Sequence, residues 1–158
     1  MNKTVMVIGY GNELRSDDGI GQQIANEIAN WHLPSVKSLA IQQLTPDLAA
    51  SLAKTDLAIF VDACLPTDDW DVQIQPLSPA DDLDHSVHIC DPRSLLALTQ
   101  ALYGYSPTAW LLTIPGFNFE IGDRLSRIAE IGKSLALLKI IQILDRIHTY
   151  WVEVQELV

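Results

Sequence analysis

The sequence predicts an α/β fold. The expected form is a single three-layer domain over residues 1–158, built on a doubly wound, mostly parallel sheet of about five strands with one antiparallel edge strand and helices on both faces. Three observations carry that expectation. Val5 to Ile8 and Leu57 to Val61 are continuous apolar runs, as central strands covered on both faces require. Stretches with apolar residues at helical spacing alternate with such runs. One connection, Leu65-Pro66-Thr67-Asp68-Asp69, is a turn too short for a crossover helix, so the strand after it can run antiparallel.

The elements follow in order. After the first strand, Gly9 and Gly11 punctuate a turn. From Gly19 a helix carries Ile20, Ile24, Ile28 and Trp31 on one face, and Pro34 lies just past its end. Val36 to Leu44 alternates loosely and reads as the second strand. Thr45-Pro46-Asp47 is a helix start, with Thr45 as cap and Pro46 at the first helical position, and a short helix runs to Lys54. The Leu57 run ends in Asp62-Ala63-Cys64. Trp70 to Leu77 alternates apolar and polar, as a half-exposed edge strand does. Ser78 to Asp91 is acidic and irregular. Asp91-Pro92 opens a helix bearing Leu95, Leu96, Leu98 and Leu102 that ends near Gly104. Ala109 to Ile114 is the last strand, Pro115 to Gly122 a loop, and Leu125 to the region of Val154 one long helix, with a break or shift expected near Gly132.

Composition narrows the function classes. Apolar residues make up 48% of the 158, enough for a sizeable core. Twenty acidic against ten basic residues give a net charge of -10, which argues against nucleic-acid or anionic-membrane binding, since both need clustered Lys and Arg. The first apolar run is too short for a signal-peptide core or a membrane span. Lys133, Lys139, Asp145 and Arg146 interrupt the last helix, which therefore reads as core-packed. Cys64 and Cys90 read as reduced thiols. A cytoplasmic monomer is expected.

The candidate chemistry gathers at strand ends. Asp17 and Asp18 stand where the first loop becomes a helix, a place that favours negative charge, so either acid can serve as an ordinary cap. A dinucleotide site is disfavoured: the fingerprint needs a third glycine where Leu14 stands, and two carboxylates would repel a pyrophosphate. A metal site fits better. Asp18 follows the first strand and Asp62 ends the third, both at the crevice where open α/β sheets bind ligands, and His88 in the next long loop can reach it. Two carboxylates and an imidazole suit a divalent transition ion and leave coordination positions open. Each residue also has a structural reading: a cap, a strand end, a solvent-facing loop histidine. His85 lies close enough to compete with His88. Cys64 and Cys90, each two residues beyond a candidate ligand, could extend the site or offer a thiol nucleophile, or simply fill space. His32 and His148 lie elsewhere, and Asp81, Asp82 and Asp84 read as a solvated loop. No Ser-His-Asp order and no His-Glu-x-x-His helix is present.

The stretch Gly9-Tyr10-Gly11-Asn12-Glu13-Leu14-Arg15-Ser16-Asp17-Asp18-Gly19-Ile20-Gly21 resembles the N-terminal motif of the [NiFe]-hydrogenase maturation endopeptidases. The likeness continues in Ile59 to Ala63, in the His88 loop before a leucine-rich helix, and in Ile114-Pro115 with Gly122 to Ser126. It implies a peptidase that removes the C-terminal extension of a hydrogenase large-subunit precursor once nickel is inserted. The family's nickel-sensing positions fall on Asp18, Asp62 and His88, which the resemblance makes both catalytic and metal-binding. Nickel would arrive with the precursor, and no nucleotide is implied. Gln43 to Asp47 and Pro115 to Phe119 look closer to the proteases of bidirectional, NAD(P)-linked hydrogenases. A non-catalytic chaperone for the precursor on the same fold is the rival reading.

Overall fold

The computed structural model describes residues 3–66, 71–81 and 91–156, the last nine of them by backbone path alone. The chain runs β1 (Val5–Tyr10), a 3-10 turn (Ser16–Gly19), α1 (Ile20–Asn30), β2 (Val36–Ile41), α2 (Leu48–Leu52), β3 (Leu57–Cys64), β4 (Gln73–Leu77), α3 (Pro92–Tyr103), β5 (Thr108–Pro115) and α4 (Arg127–Glu156). The strands form one sheet in the order β2-β1-β3-β5-β4. All neighbours are parallel except β4, which runs antiparallel to β5 at the edge with Gln73 opposite Thr113. The expected fold class is the one observed.

Side-chain alternation along the central strands builds two cores. Val5 and Val7 of β1, with Leu57, Ile59 and Val61 of β3, face Ile20, Ile24 and Ile28 of α1 and Ala129, Ala136 and Ile140 of α4. Met6, Ile8, Ala58 and Phe60 point the other way, against Leu48 and Leu52 of α2 and Leu95 and Leu96 of α3. Because β1 from Val5 to Ile8 and β3 from Leu57 to Val61 are apolar at every position, each can be buried on both sides there, as the continuous runs required.

Three local expectations need correction. β2 stops at Ile41 instead of Leu44, because Leu44 turns inward under α2. Thr45 does not cap α2. The helix begins two residues after Pro46, and only the backbone carbonyls of Thr45 and Pro46 are used, by the Leu48 and Ala49 N–H groups. Gly132 does not break α4, which is continuous. A side chain there would meet Ile114 Cγ2 at 2.6 Å, so the glycine lets the helix lie against β5. The Asp91-Pro92 start is as expected: the Asp91 carboxylate accepts from the Arg93 N–H at 3.0 Å, and Gly104 closes α3 in the left-handed conformation.

The chain path from β1 goes outward to β2, whereas the path from β3 leads to the other side of the sheet. The carboxyl ends of β1 and β3 therefore border a switch point, where such sheets form a crevice. Among the described residues no helix is long and apolar enough to cross a membrane.

Candidate functional site

Three glycines bring the first helix down onto this crevice. A Cβ on Gly21 would meet the Val61 carbonyl oxygen at 2.5 Å and the Tyr10 carbonyl oxygen at 2.7 Å, and one on Gly9 would strike Gly21 itself. The start of α1 thus rests directly on β1 and β3. Gly11 has φ +141, and a Cβ there would collide with the Asp18 carbonyl oxygen. The loop closes tightly enough for the Asn12 N–H to donate to Asp18 Oδ2 at 2.7 Å. Asn12 also folds its own turn, its Oδ1 accepting from the Leu14 N–H at 2.9 Å, while Gln22 Nε2 donates to the Gly11 carbonyl at 2.6 Å.

Neither acid of the pair caps α1 with its side chain. Ser16, buried and in the left-handed conformation at φ 52, turns the chain so that the two carboxylates part. Asp17 is fully buried. Its Oδ2 accepts from the N–H groups of Phe117 at 2.7 Å and Asn118 at 2.8 Å, and from Ser126 Oγ at 2.7 Å. Its Oδ1 accepts from the Ser126 N–H at 2.7 Å. Burial alone would raise its pKa, but these hydrogen bonds outweigh burial and hold it below the ordinary carboxylate value. Ser126 Oγ in turn accepts from the Ala129 N–H at 3.2 Å, so Asp17 sits at the N-terminus of α4.

Asp18 faces the crevice instead, and Asp62 meets it there. The register Gly9↔Val61 sets Tyr10 beside Asp62, one residue further along both strands. The Tyr10 hydroxyl hydrogen-bonds the Asp62 carboxylate. Burial, then the charge of Asp18, push the Asp62 carboxyl up to about 6, although bonds from the Ala63 N–H and Tyr10 oppose this. Burial and the charges of Asp62 and Asp91 likewise keep the Tyr10 phenol above its ordinary value. Burial pushes the Cys64 thiol up as well, with a bond to Thr113 opposing it and Asp62 adding to it. A raised thiol is a poorer nucleophile near neutral pH, so the direction of this shift weighs against Cys64 in that role.

Asp18 and Asp62 are therefore brought together, from different elements, at the mouth of the sheet. His88, His85 and Cys90 lie outside the described residues. Among the described residues no three His, Cys, Asp or Glu side chains stand together as a metal site. Reading the sequence overlooked Tyr10. Its signal was there, since Tyr10 shares the two-residue period of Met6 and Ile8 as Asp62 shares that of Ala58 and Phe60. Nothing in the sequence distinguished the anchoring role of Asp17.

Beside the mouth, the β1–α1 and β5–α4 loops are laced together. Ser16 N–H donates to the Gly122 carbonyl and Gly122 N–H to the Leu14 carbonyl, both at 2.8 Å. Ser16 Oγ donates to the Glu120 carbonyl at 2.8 Å and Arg15 Nε to the Phe119 carbonyl at 3.2 Å. The loops frame an open groove of about 870 Å³ lined by Asn12, Leu14, Arg15, Phe119, Glu120 and Ile121.

Comparison with known proteins bears on the fold. No protein-family model matches the sequence, and no curated protein matches it. Solved structures do. The chain is similar to the hydrogenase maturating endopeptidase HybD of Escherichia coli, with a TM-score of 0.73 and 20% identity over 90% of this chain and 93% of that one. It is similar to a hydrogenase 2 maturation peptidase from a Thaumarchaeota archaeon, with a TM-score of 0.69 and 21% identity over 90% and 98%. A [NiFe] hydrogenase maturation protease, HycI of Thermococcus kodakarensis, gives a TM-score of 0.66 and 21% identity over 92% of each chain. At these identities the likeness establishes a shared fold along nearly the whole chain.

Proposed function

We propose that this chain is an endopeptidase that matures a [NiFe] hydrogenase, removing the C-terminal extension of the large-subunit precursor after nickel insertion. The observation that carries the reading is the meeting of Asp18 and Asp62 at the sheet's switch point, on a fold shared with hydrogenase maturation proteases. Burial and then the charge of Asp18 make the Asp62 carboxyl resist ionisation, and a bound cation would relieve both. The nickel of the precursor is the cation for which we assign the pair, with His88 as the third ligand. Asp91, whose charge reaches Tyr10, stands three residues along the chain from His88.

In this reading nickel is cargo, presented by the substrate. Asp18 and Asp62 supply oxygen ligands, and docking of the metal places the adjoining peptide bond at the mouth. Hydrolysis then draws on carbonyl polarisation or on a water activated beside the metal. Tyr10 holds the Asp62 carboxylate in place from behind. We assign the substrate to the bidirectional, NAD(P)-linked hydrogenases on the strength of Gln43 to Asp47 and Pro115 to Phe119, and the protein to the cytoplasm as a monomer.

The test incubates nickel-loaded and nickel-free large-subunit precursor with wild type and with Asp62→Asn, and reads the lost peptide by mass spectrometry. Cleavage of the loaded precursor alone, by wild type alone, is the expected result. Equal cleavage by Asp62→Asn sinks the metal-site assignment. Binding without cleavage by wild type favours the chaperone reading.

A further inference from the structure

One planar group at the mouth is held at both of its ends. The peptide unit that joins Gly11 to Asn12 carries the Gly11 C=O on one side and the Asn12 N–H on the other. The N–H donates to Asp18 Oδ2 at 2.7 Å. The C=O accepts from Gln22 Nε2 at 2.6 Å. Gln22 stands in the first turn of α1, next to Gly21, which seats that turn directly on β1 and β3. Its amide therefore reaches from a fixed helix to the far end of the group that holds Asp18.

That group has little else to hold it. A trans peptide keeps its C=O and N–H pointing in opposite directions, so whatever fixes one fixes the other. The unit turns by rotation about the bonds that flank it, and on one side the flanking residue is a glycine with no Cβ to resist. The Gly11 N–H donates to the Ile41 and Gln42 carbonyls at 3.2 Å, but it belongs to the preceding peptide. The Asn12 carbonyl accepts from the Arg15 N–H at 3.1 Å, but it belongs to the following one. A flip of the unit between them would carry the Asn12 N–H away from Asp18 and turn the Gly11 oxygen toward the carboxylate. Gln22 opposes the flip, because on turning the carbonyl loses the Nε2 donor.

Among the described residues, Asp18 Oδ2 accepts this one hydrogen bond and Oδ1 accepts none. We propose that Gln22 is a positioning residue: by pinning the Gly11–Asn12 peptide it keeps the N–H on Oδ2 and so presents Oδ1 to the cation. The inference rests on the endopeptidase reading for the identity of that cation, and it adds the support on which the ligand's orientation depends. Gln22 touches neither the metal nor the scissile bond. It acts through one peptide group, as the outer partners of a metal ligand do.

The experiment compares wild type with Gln22→Met and Gln23→Met. Methionine matches glutamine in length and helix preference and has no N–H to donate. Gln23 is the half-buried neighbour that accepts from Lys133 Nζ of α4 at 3.5 Å, so its variant reports any general change in α1. The first arm follows the Asn12 amide by NMR in the protein alone. In Gln22→Met its proton should move upfield and its exchange with solvent should quicken about tenfold or more, as loss of a hydrogen bond to a charged group implies. Exchange elsewhere in β1 and α1 should stay as in wild type. The second arm measures cleavage of nickel-loaded precursor. Its kcat/KM should fall about tenfold or more in Gln22→Met and stay within about threefold in Gln23→Met.

An Asn12 amide that keeps its wild-type shift and exchange in Gln22→Met overturns the proposal, whatever the cleavage. A released amide with undiminished cleavage overturns it too, since the site would then be indifferent to how Asp18 is held. An equal fall in both variants assigns the loss to α1 as a whole and overturns the specific role. Wild type that never cleaves loaded precursor, beside an amide released in Gln22→Met, keeps the positioning and overturns the endopeptidase reading.

Discussion

Asp17 and Asp18 are neighbours in sequence and belong to two different regions of the molecule. The junction around Asp17 is buried and saturated: one carboxylate accepts four hydrogen bonds and ties the β1–α1 loop to the start of α4. The mouth around Asp18 is the reverse. There Asp62 is pushed up to about 6, first by burial and then by the charge of Asp18 from a separate element. The contrast teaches that acid content alone does not make a site. What matters is whether the protein has already satisfied the charge. A satisfied carboxylate stabilises the fold, whereas a crowded one is available to a ligand.

The sharpest way to break this contrast is to remove Asp17. Asp17→Ala should cost about 3–5 kcal/mol, since it strands buried donors from two loops and a helix start. Urea unfolding measures it. The pH dependence has a definite sign. The folded-state pKa of Asp17 lies below the unfolded one, so its contribution is present above the unfolded value and is lost as pH falls through the depressed folded value. The gap between wild type and Asp17→Ala should therefore narrow in acid. A loss under about 1 kcal/mol at neutral pH would contradict the anchoring role.

Gly11→Ala comes next. The backbone is at φ +141 and the new methyl would collide with the Asp18 carbonyl oxygen, so a loss of about 2–4 kcal/mol is expected. Because the collision lies beneath Asp18, cleavage should fall further than stability predicts, which a paired activity and melting assay would reveal.

Asp62→Asn should have the opposite sign. The folded value of about 6 lies above the unfolded one, so the folded state keeps a proton that the unfolded chain has released. Stability then falls as pH rises from roughly 4 to 6 and stays lowered above that window. Asp62→Asn should unfold later than wild type at pH 8, by roughly 1–3 kcal/mol, and nearly together with it at pH 4. A variant less stable than wild type at both values would show that Asp62 is a structural acid like Asp17.

Tyr10→Phe is the mildest probe. Removing the hydroxyl costs about 1 kcal/mol and takes away a bond that favours the Asp62 carboxylate. The Asp62 titration, followed by carboxyl-carbon NMR, should move upward. A downward shift would mean that Tyr10 does not donate to Asp62.

Much of this architecture is legible in the sequence. The apolar runs at Val5 and Leu57 had to be doubly covered strands, and β4 is the antiparallel edge strand that was expected, although residues 67–70 of the connection before it lie outside the described residues. Asp18 and Asp62 could be placed because strand ends at a switch point are fixed by topology. Other features depend on contacts distant in sequence. Asp17 finds its partners 100 to 109 residues away, which no local pattern encodes. Gly132 read as a helix breaker because its contact with Ile114 belongs to the packing of α4 on β5. Leu44 read as the end of a strand because an apolar residue extends an alternating pattern equally well on leaving it.

The central claim is that Asp18 serves the ligand and Asp17 serves the fold. Comparing Asp18→Asn with wild type for thermal unfolding and for cleavage of nickel-loaded precursor tests it most directly. The carboxamide oxygen can still accept from the Asn12 N–H, so unfolding should change little. Cleavage should be lost, falling at least about a hundredfold. An Asp18→Asn protein that melts early, or one that cleaves at the wild-type rate, would contradict the account.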